Sequence, residues 1–162
     1  MGDIKRILFC EDDPKDVELT LVALGEYNLA NEVDVVRDGQ EALDYLRHQG
    51  QFQMRGGSNP GVVLLDLKMP KIDGLEVLRQ VRADDELRMI PIVMLTSSRE
   101  ERDIVESYKL GVNSYVVKPV DFHQFVDAIK QVGSFWAVIN QPPPNRAASK
   151  TIGKSEPQCL TN

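Results

Sequence analysis

The side chains most able to do chemistry stand where apolar runs end. The stretch from 62 to 75, Val-Val-Leu-Leu-Asp-Leu-Lys-Met-Pro-Lys-Ile-Asp-Gly-Leu, breaks off abruptly at Asp66. The run from Ile4 to Cys10 leads into Glu11-Asp12-Asp13, that from Pro91 to Leu95 into Thr96-Ser97-Ser98, and that from Ser114 to Val117 into Lys118-Pro119. A carboxylate at the tip of a buried strand is costly unless a cation or hydrogen-bond donors meet it. Carboxylates, a hydroxyl and an ammonium spread over four such tips are a set from which a phosphate or cation site could be built. Each is ambiguous alone. A Glu-Asp-Asp run is usually a solvated turn or helix cap, Thr96 suits a helix N-cap, Tyr115 a half-buried packing position, and Lys118 the surface. Their joint placement is what points to a site.

The elements that must hold these residues follow from periodicity. Apolar runs bounded by turn signals predict strands buried on both faces of a parallel sheet, with a shorter one from Glu32 to Val36. Between them the spacing predicts helices: Val17 to Leu24 ending near Gly25, Glu41 to Arg47, a third from Leu75 closing at Ala83-Asp84-Asp85, and a fourth from near Glu100 to Gly111. The last helix is predicted as one piece from Phe122 to Ile139, with Phe122, Phe125, Val126, Ile129, Val132 and Trp136 as its apolar stripe. His48 to Gly61 reads as a long mobile loop. The fold class is α/β, a doubly wound five-stranded parallel sheet with helices on both faces. In such sheets ligands bind outside the carboxyl ends of the strands, where the polar tips lie. The domain is expected over 1–140. Residues 141–162 begin with a proline run, lack periodicity and read as a disordered tail.

Composition narrows the function. The chain has 162 residues and a formal net charge of -6, which opposes the phosphate contacts that drive nucleic-acid binding. Cys10 and Cys159 form neither a disulfide framework nor a metal-ligand pair, so a reducing cytoplasm is the expected location. No stretch suits a signal peptide or a membrane span.

Glu11-Asp12 after strand one, Asp66 after strand three, Thr96 after strand four, and Tyr115 with Lys118-Pro119 around strand five together resemble the receiver domain of response regulators. The resemblance runs from Ile4 to about Ile139 and implies strand order 2-1-3-4-5. Neighbouring strands about 4.8 Å apart would then set Asp12 beside Asp66, with Lys118 able to cross from two strands away. Clustered carboxylates at one edge call for a hard divalent cation, and Mg²⁺ is the expected one. By resemblance, Asp12, Asp66 and the backbone carbonyl of Lys68 ligate it, while Glu11 acts partly through water. Asp66 is implied as phosphoacceptor from a sensor histidine kinase, Thr96 and Lys118 as donors to the phosphoryl group, and Thr96 with Tyr115 as a switch. The Lys118-Pro119 bond is implied to be cis. Lys68 and Ser98 are expected to face the site and prolong the phosphoryl state. Phe135, Trp136 and Ile139 near the Pro-rich exit resemble the ending of small phytochrome-associated response regulators and are candidates for a homodimer interface. Output is expected by contact with another protein.

Other functions fit less well. A Mg²⁺-dependent phosphohydrolase of similar fold carries a second Asp two residues after its nucleophile, where this chain has Lys68. A nucleotide or flavin binder lacks its Gly-rich loop after strand one. A receiver-like scaffold that never becomes phosphorylated is opposed only by the intact set of site residues.

Overall fold

Alternation along each strand divides the interior in two. Leu8, Cys10, Val63, Leu65, Ile92 and Met94 point to one side of the sheet, where they pack with Leu43, Leu46, Val77, Leu78 and Val81. Ile7, Phe9, Val62, Leu64, Val93 and Leu95 point to the other, against Val17, Leu24, Phe125 and Ile129. A strand covered on both faces has no polar side, so the first, third and fourth strands are buried throughout.

The computed structural model describes residues 5–144. Its elements are β1 (Ile7–Cys10), α1 (Pro14–Gly25), β2 (Val33–Val36), α2 (Gly39–Arg47), β3 (Val62–Leu65), α3 (Gly74–Ala83), β4 (Ile92–Thr96), α4 (Glu101–Lys109), β5 (Ser114–Val117) and α5 (Phe122–Gly133). The strands are all parallel in the order β2-β1-β3-β4-β5, as the resemblance implied. An aspartate starts four of the helices, since its carboxylate accepts a first-turn N–H. Asp13 accepts from Lys15, Asp38 from Glu41, Asp73 from Glu76 and Asp121 from Gln124.

One expectation about the elements needs correction. The last helix does not run unbroken to Ile139. After Gly133 it widens into a π-helical turn, Ser134–Ile139, closed by the Asn140 N–H donating to the Phe135 carbonyl at 2.6 Å. Crowding at Gly133 accompanies the change, because a Cβ there would lie 2.4 Å from Leu24 Cδ2. The wider turn faces Ala137 into the core, fully buried, with its carbonyl accepting from the Lys5 N–H at 3.0 Å. Trp136 is left half-buried and Phe122, at the head of the expected stripe, exposed. The stretch from His48 to Gly61 is a long connection between α2 and β3. It contains a 3₁₀ turn, Gly50–Phe52, and Arg55 stacks over the Tyr45 ring at 3.9 Å while donating to the Tyr45 carbonyl. Most of the expected tail, 145–162, lies outside the described residues, and 141 to 144 have no regular structure.

Candidate functional site

Register brings the polar tips together. Cys10 pairs with Leu65, so the next residues, Glu11 and Asp66, emerge side by side, with the Asp66 N–H donating to the Cys10 carbonyl at 3.0 Å. Thr96 pairs with Val117, and the Lys118 N–H donates to the Thr96 carbonyl at 2.8 Å. Gly74 lets α3 start against this edge, because a Cβ there would meet the Asp66 carbonyl at 2.3 Å.

Glu11, Asp12 and Asp66 each offer a carboxylate oxygen, all within 4.8 Å of one another. Glu11 and Asp66 are buried, at 1% and 7% exposure, while Asp12 faces solvent. The third member of the acidic run, Asp13, is occupied as the α1 cap. Asp66 is further fixed by the Leu67 N–H, which donates to its Oδ1 at 2.8 Å. Lys118 crosses to the cluster as expected but favours other partners. Its Nζ donates to Glu11 Oε2 at 2.5 Å and to Asp16 Oδ2 at 2.8 Å, and lies 3.8 Å from Asp66 Oδ2.

Burial sets the electrostatics. It lifts the Glu11 carboxyl to about 7 against the pull of Lys118, and it lifts Asp66 as well, opposed by Lys118, Glu11 and the Thr96 hydroxyl. Burial works against the Lys118 ammonium too, but Asp16 and Glu11 outweigh it and hold its pKa above the usual lysine value. Glu11, Asp12, Asp16 and Asp66 therefore stand against one ammonium. The surplus negative charge and all-oxygen donor set fit a hard divalent cation such as Mg²⁺.

Thr96 is buried beside Asp66, its hydroxyl accepting from the Ser98 N–H at 3.3 Å. Ser98 does not face Asp66. Its hydroxyl donates to Asp103 Oδ2 at 2.6 Å and accepts from the Glu100 N–H at 3.3 Å, so Ser98 rather than Thr96 supports the start of α4. The Tyr115 hydroxyl donates to the Ser98 carbonyl at 3.0 Å, joining β5 to the loop that begins at Thr96. Lys68 is exposed, in a loop anchored by the pairing of Lys71 with Asp38 at 3.3 Å. The Lys118-Pro119 bond is trans, as no described peptide bond is cis. This corrects the expectation and follows the ordinary trans preference of X-Pro bonds. Phe135, Trp136 and Ile139 belong to the opposite edge of the sheet, near Lys5. Phe135 and Ile139 are exposed there.

Two site residues escape sequence reasoning. Asp16 lies 102 positions from Lys118, and its signal is only an acidic residue in the first turn of a helix that starts at the polar edge. Asp103, buried under Ser98, has no signal beyond an i, i+5 spacing.

The model of the response regulator receiver domain family matches residues 7–130. Response regulator Rcp1 of Synechocystis sp. is 36% identical over 132 residues, 82% of this chain and 88% of Rcp1. The structure of Rcp1 in its Mn(2+)-bound form aligns with a TM-score of 0.80 at 34% identity, covering 86% of this chain and 99% of that one. The phosphorylated cyanobacterial phytochrome response regulator RcpA aligns with a TM-score of 0.80 at 39% identity, over 87% of this chain and 99% of RcpA. The bacteriophytochrome response regulator RtBRR is 60% identical, covering 92% of this chain and 90% of RtBRR, with a TM-score of 0.69. No helix among the described residues is long and apolar enough to cross a membrane.

Proposed function

The chain belongs to the response regulator receiver family of two-component signalling, and from that premise we propose that it takes a phosphoryl group from a sensor histidine kinase onto Asp66 and signals by contact with another protein. The observation that carries this reading is the setting of Asp66, buried at the tip of β3 within 4.8 Å of the Glu11 and Asp12 carboxylates and 3.8 Å from the Lys118 ammonium.

A carboxylate oxygen of Asp66 attacks phosphorus, the bond from phosphorus to the donor imidazole nitrogen breaks, and its electron pair leaves with the ring. The product is an acyl phosphate. Asp66 Oδ1 is held by the Leu67 N–H, which leaves Oδ2 as the attacking atom. Mg²⁺, held by Asp12, Asp66 and the Lys68 carbonyl with Glu11 partly through water, would neutralise charge on the transferring group. Lys118 and the Thr96 hydroxyl donate to the remaining phosphoryl oxygens, which is positioning and electrostatics rather than acid-base catalysis. This is chemistry on the protein's own side chain, not turnover of an external substrate.

The signal leaves through Thr96 and Tyr115. Movement of the Thr96 hydroxyl toward the phosphoryl group shifts the loop whose Ser98 carbonyl accepts from Tyr115, and the ring follows. The surface of α4, β5 and α5, where Val105, Tyr108 and Phe122 are exposed, takes the partner. Exposed Lys68 leans over the acyl phosphate and slows attack by water. The exposed Phe135 and Ile139, with Trp136 between them, serve a homodimer. A phytochrome-type kinase in the cytoplasm is the proposed donor, given what RcpA and RtBRR are.

Phosphotransfer tests this. A phytochrome-class histidine kinase carrying labelled phosphate on its histidine should lose the label to this chain and not to Asp66→Asn. Label that stays on the kinase, or moves equally to the variant, contradicts the reading.

A further inference from the structure

Lys118 has an anionic partner that phosphoryl binding does not require. An ammonium has three donors, and here two are committed at short range, to Glu11 at 2.5 Å and to Asp16 at 2.8 Å, while Asp66 Oδ2 at 3.8 Å lies beyond hydrogen-bond distance. Glu11 belongs to the oxygen cluster, and Asp16 approaches from the first turn of α1. The start of that helix is fixed by the Asp13 cap and Pro14, so Asp16 pulls on the ammonium from a rigid position. The Lys118 side chain is 6% exposed and that of Asp16 25%.

We propose that Asp16 is a positioning residue for Lys118, holding the ammonium to the α1 side of the cluster so that Asp66 stays open to a cation and to an incoming phosphoryl group. The role rests on the phosphoacceptor reading of Asp66. Without Asp16, the buried ammonium has Glu11 and Asp66 as its nearby anions. It then closes on Asp66 Oδ2, the oxygen that attacks. With Asp16, Glu11 can turn toward a cation without leaving a buried ammonium unpaired, which would be strongly destabilising. A phosphoryl group, carrying more charge than one carboxylate, then draws Lys118 across.

The test is a double-mutant cycle read by Mg²⁺ calorimetry on the full chain. Asp16→Asn should weaken Mg²⁺ binding about fivefold, the size of coupling found between contacting groups. In a Lys118→Ala background, or Lys118→Met if the first folds poorly, it should change binding by less than about twofold, since no amine remains to redirect. Equal weakening in both backgrounds would mean loss of through-space charge alone and would overturn the proposal, as would no change in either. A metal-free readout is independent of any chemistry: by NMR, Asp16→Asn should move both the Lys118 ammonium signal and the Asp66 carboxyl carbon. A change confined to Lys118 overturns the proposal. If wild type binds Mg²⁺ as described but takes no phosphoryl group from an acyl phosphate, the phosphoacceptor reading fails while the placement of Lys118 by Asp16 stands.

Discussion

At the edge of the sheet where strands begin, Arg82 donates Nε to the Gly111 carbonyl, Nη1 to the carbonyls of Arg88 and Ile90, and Nη2 to Asn113 Oδ1, each at 2.9 Å. Asn113 Oδ1 also accepts from the Ile92 N–H at 2.8 Å. At the edge where strands end, Glu11, Asp16 and Asp66 surround the Lys118 ammonium, and Asp12 lies beside Glu11 and Asp66. The first arrangement ties the end of α3 to the starts of β4 and β5 with neutral acceptors alone. A guanidinium stays charged even though burial lowers its pKa, and these carbonyls give it somewhere to put its donors. The second arrangement leaves like charges in contact. One edge holds the chain together, and the other retains a surplus of negative charge, which the proposed cation and phosphoryl group would complete. Local rules are broken where function needs them broken.

Substitutions at the two edges should therefore act in opposite directions. Arg82→Met strips donors from several acceptors at once and should lower unfolding free energy by about 2 to 4 kcal/mol, read by chemical denaturation, with Mg²⁺ affinity unchanged. Equal loss of Mg²⁺ binding would show that the two edges are not separable. Asp12→Asn should do the reverse: in metal-free protein, removing one like charge should raise stability by about 1 kcal/mol, while Mg²⁺ binding weakens. A destabilised Asp12→Asn protein would mean the cluster is not under repulsion.

A third effect is on pH. Burial raises the Glu11 carboxyl from 4.5 to about 7, so the folded protein keeps a proton that the unfolded chain releases between those values. The stability so conferred is complete below pH 4.5 and is lost as pH rises through about 7. Asp66, also raised by burial, acts in the same direction. Metal-free Tm should fall over that window, and Glu11→Gln should flatten the fall. A Tm that climbs across it would show that these carboxyls are not raised.

The contrast also explains what could be read from the residues. Strand tips are legible because a buried run that stops on Asp66 or Lys118 breaks an apolar pattern at a definite place. The sheet follows from the same runs, although its strand order came from the resemblance. Asp16 is not legible, because an acidic residue early in a helix looks like any other and its pairing spans α1 and the tip of β5. Arg82 and Asn113 hide for the same reason. Apart from each other, their partners are backbone groups, carbonyls for Arg82 and the Ile92 N–H for Asn113, which carry no residue type. The π-helical turn is not legible because Phe135, Trp136 and Ile139 are apolar whichever way they face, and the residue that turns inward, Ala137, is small enough to fit either side.

The most direct measurement is the intact mass of the protein after incubation with Mg²⁺ and a small acyl phosphate, compared with the same mixture lacking metal and with Asp66→Asn. Wild type should gain one phosphoryl group, absent in both controls. A folded wild-type protein that gains none, or a gain that survives Asp66→Asn, would contradict Asp66 as the group around which this edge is built.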